Sequence, residues 1–198
     1  MAKLYFYYGA MGSSKSANAM MVAFNYKERG QKVLLCKTGI DTRDGAKVIK
    51  SRMGLESPCE LLDDIYLWNK KKIKEYDVVI VDEAQFATSE QIDFLSDVVD
   101  ELHVPVICYG LRADFQNHLF PGSQRLLEIC DEIQEVKTMC WCGHKAICNA
   151  RYNKDGIVRE GAQVMLGAND DYIALCRKHF KEGKLHPDHN EPISVDEE

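Results

Sequence analysis

The chain has 198 residues, of which 45% are hydrophobic and 28% charged, as expected for one globular domain or one domain with a small added module. It contains no run of about 18 apolar residues, which a membrane-spanning helix needs, and the segment up to Gly9 lacks a secretory signal, so we expect a cytoplasmic protein. The net charge of −6 argues against sequence-independent binding to nucleic acids, but residues 1–60 carry ten basic and five acidic side chains, so we expect any polyanionic ligand there.

Strands and helices alternate along residues 1–137. Apolar periodicity predicts strands at 4–8, 32–37, 77–82, 105–109 and 132–136. Periodicity and capping signals predict three helices: one at 15–29, one that is capped by Thr88 and extends to Leu102, and one that is capped by Ser123 and extends to Ile129. The run at 77–82 is apolar throughout its centre, which predicts a buried parallel strand in the middle of the sheet. Residues 39–58 predict a long irregular loop. The pattern as a whole predicts an α/β domain with a mostly parallel sheet flanked by helices.

The composition changes at Lys137, after which cysteines and histidines are concentrated. They are Cys140, Cys142, His144, Cys148, Cys176 and His179. In a cytoplasmic chain such residues are more often metal ligands or free thiols than disulfide partners. We therefore predict an α/β domain at 1–137, a small metal-binding module at 138–180, and a polar, disordered tail at 181–198.

An octet between the first predicted strand and helix nearly fits the phosphate-loop pattern G-x-x-x-x-G-K-[ST]. It reads Gly9-Ala10-Met11-Gly12-Ser13-Ser14-Lys15-Ser16. The backbone N–H groups of such a loop cradle phosphates, while Lys15 would contact the β and γ oxygens and Ser16 would ligate magnesium. Ser14 replaces the second glycine, at a cost on the order of 1 kcal/mol. The alternative is an ordinary turn of small residues with a solvent-facing lysine.

A second motif, Asp82-Glu83-Ala84-Gln85, ends the central predicted strand. Ligands of open α/β sheets bind at the carboxyl ends of the strands. We assign Asp82 to the hydrated magnesium of a bound nucleotide and Glu83 to the base that accepts a proton from an attacking hydroxyl. The alternative is a pair of solvated acids at the end of a strand.

The cysteine and histidine residues predict a structural zinc site. Cys176 and His179 form a C-x-x-H pair, and Cys140 and Cys142 supply a C-x-C pair about thirty residues earlier. Zinc in structural sites takes four thiolate or imidazole ligands in a tetrahedron. Because the first pair is one residue tighter than the usual C-x-x-C, Cys148 and His144 remain competing ligands.

Together, the phosphate loop, the D-E-x-Q motif and the zinc cluster resemble the type II thymidine kinases over residues 2–180. Several sequence blocks carry this resemblance. They are Tyr5-Phe6-Tyr7-Tyr8-Gly9-Ala10-Met11, Lys15-Ser16, Asp41-Thr42-Arg43, Ser51-Arg52-Met53-Gly54, Asp82-Glu83-Ala84-Gln85-Phe86, Cys108-Tyr109-Gly110-Leu111-Arg112-Ala113-Asp114-Phe115, and Tyr172 before Cys176. The resemblance implies a P-loop NTPase-type fold with a small zinc-binding lasso domain.

The resemblance also implies a function: transfer of the ATP γ-phosphoryl group to the 5′-hydroxyl of thymidine or deoxyuridine, in a cytoplasmic homotetramer subject to feedback by thymidine triphosphate. Glu83 would be the proton acceptor, and Arg43 would approach the transferring phosphoryl group. ATP would contact the octet from Gly9 to Ser16 and the segment from Asp82 to Gln85. A lasso at 152–172 would cover the nucleoside. The implied nucleoside contacts are Met11, Phe86, Leu111, Phe115, Phe120, Gln163, Met165, Leu166, Gly167 and Tyr172.

Two other functions fit part of the sequence. Another P-loop ATPase or small-molecule kinase would turn over ATP without thymidine. A zinc-ribbon nucleic-acid module that uses ATP as a switch would need a basic face around the cysteines, whereas residues from 61 onward are acidic in sum.

Overall fold

The computed structural model describes residues 1–39, 47–164 and 171–186, and within it the chain folds into two compact units. The first unit comprises Met1–Gly9, Ser14–Arg112 and Leu119–Val136. The second comprises Ala10–Ser13, Ala113–His118 and the chain from Lys137 onward. Among the described residues, no helix combines the length and the apolar character needed to span a bilayer.

The first unit contains strands and helices in alternation. Its strands are β1 (Leu4–Tyr8), β2 (Val33–Lys37), β3 (Val48–Lys50), β4 (Glu56–Pro58), β5 (Glu60–Leu61), β6 (Val78–Asp82), β7 (Val106–Gly110) and β8 (Glu132–Glu135). Its helices are α1 (Lys15–Glu28), α2 (Leu62–Tyr66), α3 (Lys70–Ile73), α4 (Ser89–Leu102) and α5 (Pro121–Ile129), with a 3₁₀ turn at Ala84–Phe86.

A parallel sheet forms the centre of the first unit, in the order β5-β2-β6-β7-β1-β8. Every residue of β6 is buried, as expected of an apolar strand with neighbours on both sides and helices on both faces. The prediction that this strand lies in the middle of the sheet is confirmed. Since the strands are parallel, the residues that end β1, β6 and β7 share one edge of the sheet.

Alternate residues of β6 face opposite sides of the sheet, because side chains along a strand alternate in direction. Val79 and Val81 pack in the core cluster that contains Leu95 of α4. Ile80 packs in a second cluster with Ala19 of α1. Helices therefore cover both faces, which confirms the predicted α/β fold.

The N-terminus of α4 has the predicted capping box. The Thr88 hydroxyl accepts a hydrogen bond from the Gln91 backbone N–H at 3.2 Å, and the Gln91 side-chain oxygen accepts one from the Thr88 N–H at 3.0 Å. Two of the N–H groups that a helix start leaves unpaired are thus satisfied, which fixes where the helix begins.

The predicted loop at 39–58 is wrong for its second half. Strands β3 and β4 pair antiparallel in a hairpin, with Ile49 opposite Ser57. Gly54 has a φ of 81° in the connecting turn, a conformation that glycine adopts without steric cost. Both strands are three residues long, too short for alternation to be recognised in the sequence.

The predicted Ser123 cap is also wrong. Helix α5 begins at Pro121 with Phe120 as its N-cap residue, because the fixed φ and missing N–H of proline suit the first helical position. Ser123 is fully buried inside the helix, and its hydroxyl donates to the Leu111 carbonyl at 2.5 Å.

The second unit contains short strands and one helix. They are β9 (Thr138–Met139), β10 (Lys145–Ala146), β11 (Cys148–Asn153), β12 (Gly156–Ile157), β13 (Asp171–Leu175) and α6 (Arg177–Glu182). Strands β12, β11 and β13 form an antiparallel sheet, and β9 pairs with β10. Ala150, Leu175 and Phe180 belong to its apolar core. Of the predicted tail, residues 187–198 lie outside the described residues.

Candidate functional site

The phosphate loop begins at the carboxyl edge of the parallel sheet. In the first unit, the Gly9 N–H donates to the Gly110 carbonyl at 3.2 Å, which ties the end of β1 to the end of β7. Ser14 is the N-cap of α1 and has a φ of 61°, the left-handed conformation that the motif usually assigns to glycine. A left-handed non-glycine residue is strained by about 1 kcal/mol or more, as predicted for this position.

The other residues of the loop belong to the second unit. Gly12 also has a positive φ, of 72°. The Met11 N–H donates to the Asn149 side-chain oxygen at 2.8 Å, and the Asn149 amide donates to the Ala113 carbonyl at 2.8 Å. Asn149 is buried and is a residue that sequence reasoning missed. The Asn149 side chain therefore links the loop backbone at Met11 to the backbone at Ala113, in the segment that follows β7.

Lys15, Ser16, Asp82 and Glu83 form a cluster of charged and polar groups in the first unit. Burial lowers the pKa of the Lys15 ammonium, and the charges of Glu83 and Asp82 oppose that shift. Burial raises the pKa of the Asp82 carboxyl to about 7, with Glu83 acting in the same direction and a hydrogen bond with the Ser16 side chain opposing it.

This cluster suits magnesium. The metal prefers oxygen ligands, and beside the phosphate-loop lysine the Ser16 hydroxyl would supply one while the Asp82 carboxylate would accept from the metal's bound water. A buried carboxylate without a cation is costly in free energy, and a bound dication would offset that cost. The residues present therefore fit a magnesium nucleotide.

Glu83 lies directly after β6 with its carboxylate held by a neighbour. Its φ is 54°, which makes it a second left-handed non-glycine residue. The Gln85 side-chain amide donates a short hydrogen bond to the Glu83 carboxylate, and the Gln85 oxygen accepts from the Leu111 N–H at 3.0 Å. Gln85 is fully buried. These contacts orient Glu83, whereas the predicted nucleotide contact of Gln85 stays a prediction.

Two predicted wall residues of the first unit lie against each other. The rings of Phe86 and Phe120 meet edge to face, with centroids 5.4 Å apart. Phe120 is buried and Phe86 half-buried. Helix α5 approaches the same segment so closely that a Cβ on Gly122 would lie 2.3 Å from the Ala84 carbonyl oxygen. The first turn of α5 thus fixes the chain that follows Glu83.

The second unit brings together three other predicted nucleoside residues around a side chain that sequence reasoning missed. Arg151 is fully buried, and its guanidinium lies over the Phe115 ring at 3.8 Å. It donates to the Tyr172 hydroxyl at 2.7 Å and to the Gln163 carbonyl at 3.3 Å. A polar pair at positions i and i+2 of β11, Asn149 and Arg151, is the signal that could have revealed both residues.

The predicted zinc ligands meet in the second unit. One ligand atom from each of Cys140, Cys142, Cys176 and His179 lies within 4.8 Å of all the others. The Cys142 and Cys176 sulfurs are 3.9 Å apart, close to the roughly 3.8 Å edge of a tetrahedron with Zn–S bonds of about 2.3 Å. The His179 Nδ1 is 3.5 Å from the sulfurs of Cys140 and Cys176. The set fits structural zinc.

The competing ligands lie nearby but outside this group. The His144 Nδ1 is 3.4 Å from the Cys142 sulfur, and Cys148 is buried in the apolar core of the unit. A hydrogen bond from the His144 backbone lowers the pKa of the Cys142 thiol to about 6, so the thiolate that zinc requires forms readily. Trp141 stacks on the His179 ring, with centroids 4.1 Å apart, and fixes its plane.

Some predicted site residues lie outside the described residues. They are Arg43, Met165, Leu166 and Gly167.

Comparison with known proteins identifies relatives over nearly the whole chain. The family described as thymidine kinase matches residues 2–180. The thymidine kinase of Zymomonas mobilis is 47% identical over 188 residues, which cover 92% of this chain and 97% of the relative. That of Photobacterium profundum is 45% identical over 190 residues, 92% of this chain and 98% of the relative. That of Haemophilus influenzae is 45% identical over 190 residues, which cover 92% of this chain and 97% of the relative.

Among solved structures, a replication initiator DnaA bound to AMPPCP and single-stranded DNA is similar with a TM-score of 0.46 and 16% identity. The match covers 69% of this chain and 41% of that protein's chain. The sequence matches, by contrast, confirm the resemblance on which the site assignments depend. The chain belongs to the thymidine kinase family.

Proposed function

We propose that this protein is a thymidine kinase, which transfers the γ-phosphoryl group of ATP to the 5′-hydroxyl of thymidine or deoxyuridine in nucleoside salvage. One observation carries the proposal: a chain of this family gathers Lys15, Ser16, Asp82 and Glu83 at one sheet edge. These are the groups that phosphoryl transfer needs, namely a phosphate-binding cation, two oxygen groups for hydrated magnesium and a proton acceptor.

Each group has a separate task in the transfer. Lys15 and the backbone N–H groups of the phosphate loop hold the β and γ phosphates. Ser16 and Asp82 would hold magnesium, with the Ser16 hydroxyl as a ligand and the Asp82 carboxylate facing the hydrated metal. Bound magnesium supplies positive charge that neutralises the phosphate oxygens.

The Glu83 carboxylate accepts the proton of the 5′-hydroxyl as that oxygen attacks the γ-phosphorus. The bond from the γ-phosphorus to the bridging oxygen breaks, and ADP leaves with its electron pair. The hydrogen bond from Gln85 holds Glu83 in one orientation, which lowers the cost of reaching that geometry. Arg43 is assigned to the transferring phosphoryl group by the family resemblance.

The nucleoside contacts also follow the family resemblance. A neutral pyrimidine needs apolar walls and a few hydrogen bonds. Phe115 and Tyr172 are held by Arg151 in the second unit, and Phe86 and Phe120 contact each other in the first. We assign all four to the nucleoside, and we assign the zinc cluster to anchoring a lid at 138–180 that excludes water during transfer.

The wider assignments are proposals that rest on family membership. We propose a cytoplasmic homotetramer with feedback by thymidine triphosphate. The expected partners are thymidine or deoxyuridine and ATP, without nucleic acid or membrane.

An ATP-consumption assay with thymidine, deoxyuridine and the other deoxynucleosides as acceptors tests the proposal. We expect turnover that depends on thymidine or deoxyuridine and yields the 5′-monophosphate. Turnover without any nucleoside would identify an ATPase instead. Stimulation by purine nucleosides alone would show that the substrate assignment is wrong.

The substitution Glu83→Gln tests the assigned base, because it keeps the size of the side chain but removes the proton acceptor. General-base catalysis contributes roughly 10² to 10⁴-fold, so kcat should fall by at least about 10²-fold while ATP still binds. Glu90→Gln, an exposed glutamate in the first turn of α4, is the matched control. A near wild-type kcat for Glu83→Gln would refute the role of this carboxylate.

A further inference from the structure

Arg151 of β11 is a wholly buried arginine, with a relative exposure of 0%. A buried charge is costly in free energy unless its donors are paired. Here Nε donates to the Tyr172 hydroxyl at 2.7 Å, Nη1 to the Ala162 carbonyl at 3.1 Å, and Nη2 to the Gln163 carbonyl at 3.3 Å. Each nitrogen of the guanidinium therefore has a different partner.

The planar face of the same guanidinium also contacts aromatic rings. It lies 3.8 Å from the centre of the Phe115 ring and 5.4 Å from that of Tyr172, both within the range of a cation–π interaction. One side chain thus contacts two rings and two backbone carbonyls. Because a guanidinium is rigid and planar, fixing it fixes the relative positions of all these groups.

A second hydrogen bond holds the backbone segment at 162–163, through the side chain of Gln163. The Gln163 side-chain amide donates to the Asp114 carboxylate at 2.8 Å. The other oxygen of Asp114 accepts from the Gln116 and His118 backbone N–H groups, at 2.8 and 2.9 Å. Gln163 is therefore held to a turn that is itself ordered by hydrogen bonds.

We propose that Arg151 is a positioning residue for the nucleoside, which it holds indirectly by presetting the Phe115 ring, the Tyr172 ring and the backbone at 162–163. The inference rests on the proposed function, which assigns Phe115, Gln163 and Tyr172 to the nucleoside. The hydrogen bonds described for the Arg151 guanidinium all go to protein atoms, so Arg151 affects the nucleoside only through these groups. Their ordering before binding removes an entropic cost that the nucleoside would otherwise meet.

This role predicts an effect on one kinetic parameter. Nucleoside affinity depends on the preset groups, whereas ATP binding depends on the phosphate loop and on the acidic cluster at the end of β6, which are not among the contacts described for Arg151. The KM for thymidine should therefore respond to Arg151, while the KM for ATP and kcat at saturating thymidine should not. A residue needed only for folding would instead reduce the amount of active enzyme, and with it kcat.

The experiment compares Arg151→Lys with wild type. Lysine keeps the charge but loses the fork of donors and the planar face, so the KM for thymidine should rise about tenfold or more. The KM for ATP and kcat should stay within about twofold. Arg159→Lys is the matched control, since exposed Arg159 also stacks on a ring and donates to a carbonyl, both of Phe180. Its thymidine KM should stay at the wild-type value.

Tyr172→Phe provides a second variant if Arg151→Lys does not fold. It keeps both the ring and Arg151 and removes only the oxygen that accepts from Nε, so the KM for thymidine should rise several-fold. If Arg151→Lys folds, the KM increases of the two substitutions should combine to less than their product, because both break the same bond.

Two results would overturn the inference. One is an unchanged thymidine KM in folded Arg151→Lys, or in Tyr172→Phe if the first variant is unfolded. The other is a fall in kcat with the thymidine KM unaltered. Failure of the proposed function is distinguishable, since wild-type protein would then not phosphorylate thymidine at all.

Discussion

Gly122→Ala tests how tightly helix α5 fixes the chain that follows Glu83. A Cβ at this position would lie 2.3 Å from the Ala84 carbonyl oxygen, 2.8 Å from that of Ala87 and 3.1 Å from that of Gln85. All three are backbone atoms, which cannot rotate away as a side chain can. An ordinary contact needs about 3.4 Å, so the helix and the segment must separate by about 1 Å.

Two opposing terms set the size of the effect. Overpacking costs typically about 1–3 kcal/mol, and alanine regains up to about 1 kcal/mol over glycine inside a helix. We expect a net loss of about 1–2 kcal/mol, which for a chain of this size lowers Tm by about 2–8 °C. A shift of about 1 Å next to the reacting groups can cost about 10²-fold in rate, so kcat should fall more than stability suggests.

Thermal unfolding and steady-state kinetics on the same preparation measure both effects. Gln124→Ala is the matched control, because Gln124 is exposed on the same helix and bonds only to Glu128 among the hydrogen bonds described for its side chain. It should change Tm and kcat little. A Gly122→Ala protein with wild-type Tm and kcat would refute the reasoning, since it would show that α5 can move away from residues 84–87 without consequence.

Three further predictions follow from the cluster geometries. Native mass spectrometry should find one zinc per chain, lost in Cys176→Ser, and a fully active zinc-free wild type would contradict the metal assignment. The pKa of Asp82 is raised from 3.8 to about 7, so between about pH 4 and 7 the unfolded chain ionises this carboxyl while the folded, ligand-free protein keeps it protonated, and stability falls across that interval and levels off above it. Asp82→Asn should therefore raise Tm more at pH 8 than at pH 5.5, and an equal gain at both would contradict this. Gln85→Leu, which removes the hydrogen bond to the Glu83 carboxylate, should lower kcat about tenfold; an unchanged kcat would show that Glu83 needs no such support.

Features that depend on neighbouring residues in the chain were predictable from the sequence. The apolar run of β6, the Thr88 and Gln91 capping box, and the spacing of Cys176 and His179 each specify local geometry. For such features the physical cause lies within a few residues, so the pattern of residue types is enough.

Two features that depend on contacts between distant segments were not predicted. Arg151 shares one face of β11 with Asn149, and a polar face of a strand usually lies at the surface. It is buried because Phe115, Tyr172 and two carbonyls surround it. Ser123 is similar: its hydroxyl is a natural helix cap by type, but the Leu111 carbonyl accepts from it. In both cases the partner is distant in the sequence.

The second unit is assembled from three separate stretches of the chain, and this limits how it can be transplanted. Its C-terminal stretch carries Asn149, whose buried amide is satisfied only by Met11 and Ala113 among the hydrogen bonds described for that side chain. Cut away from these stretches, that amide would lose its partners at a cost of about 1–3 kcal/mol. Both partners are backbone groups, so a chimera that exchanges only the region after 137 keeps this amide satisfied where the recipient's backbone at residues 11 and 113 follows the same course.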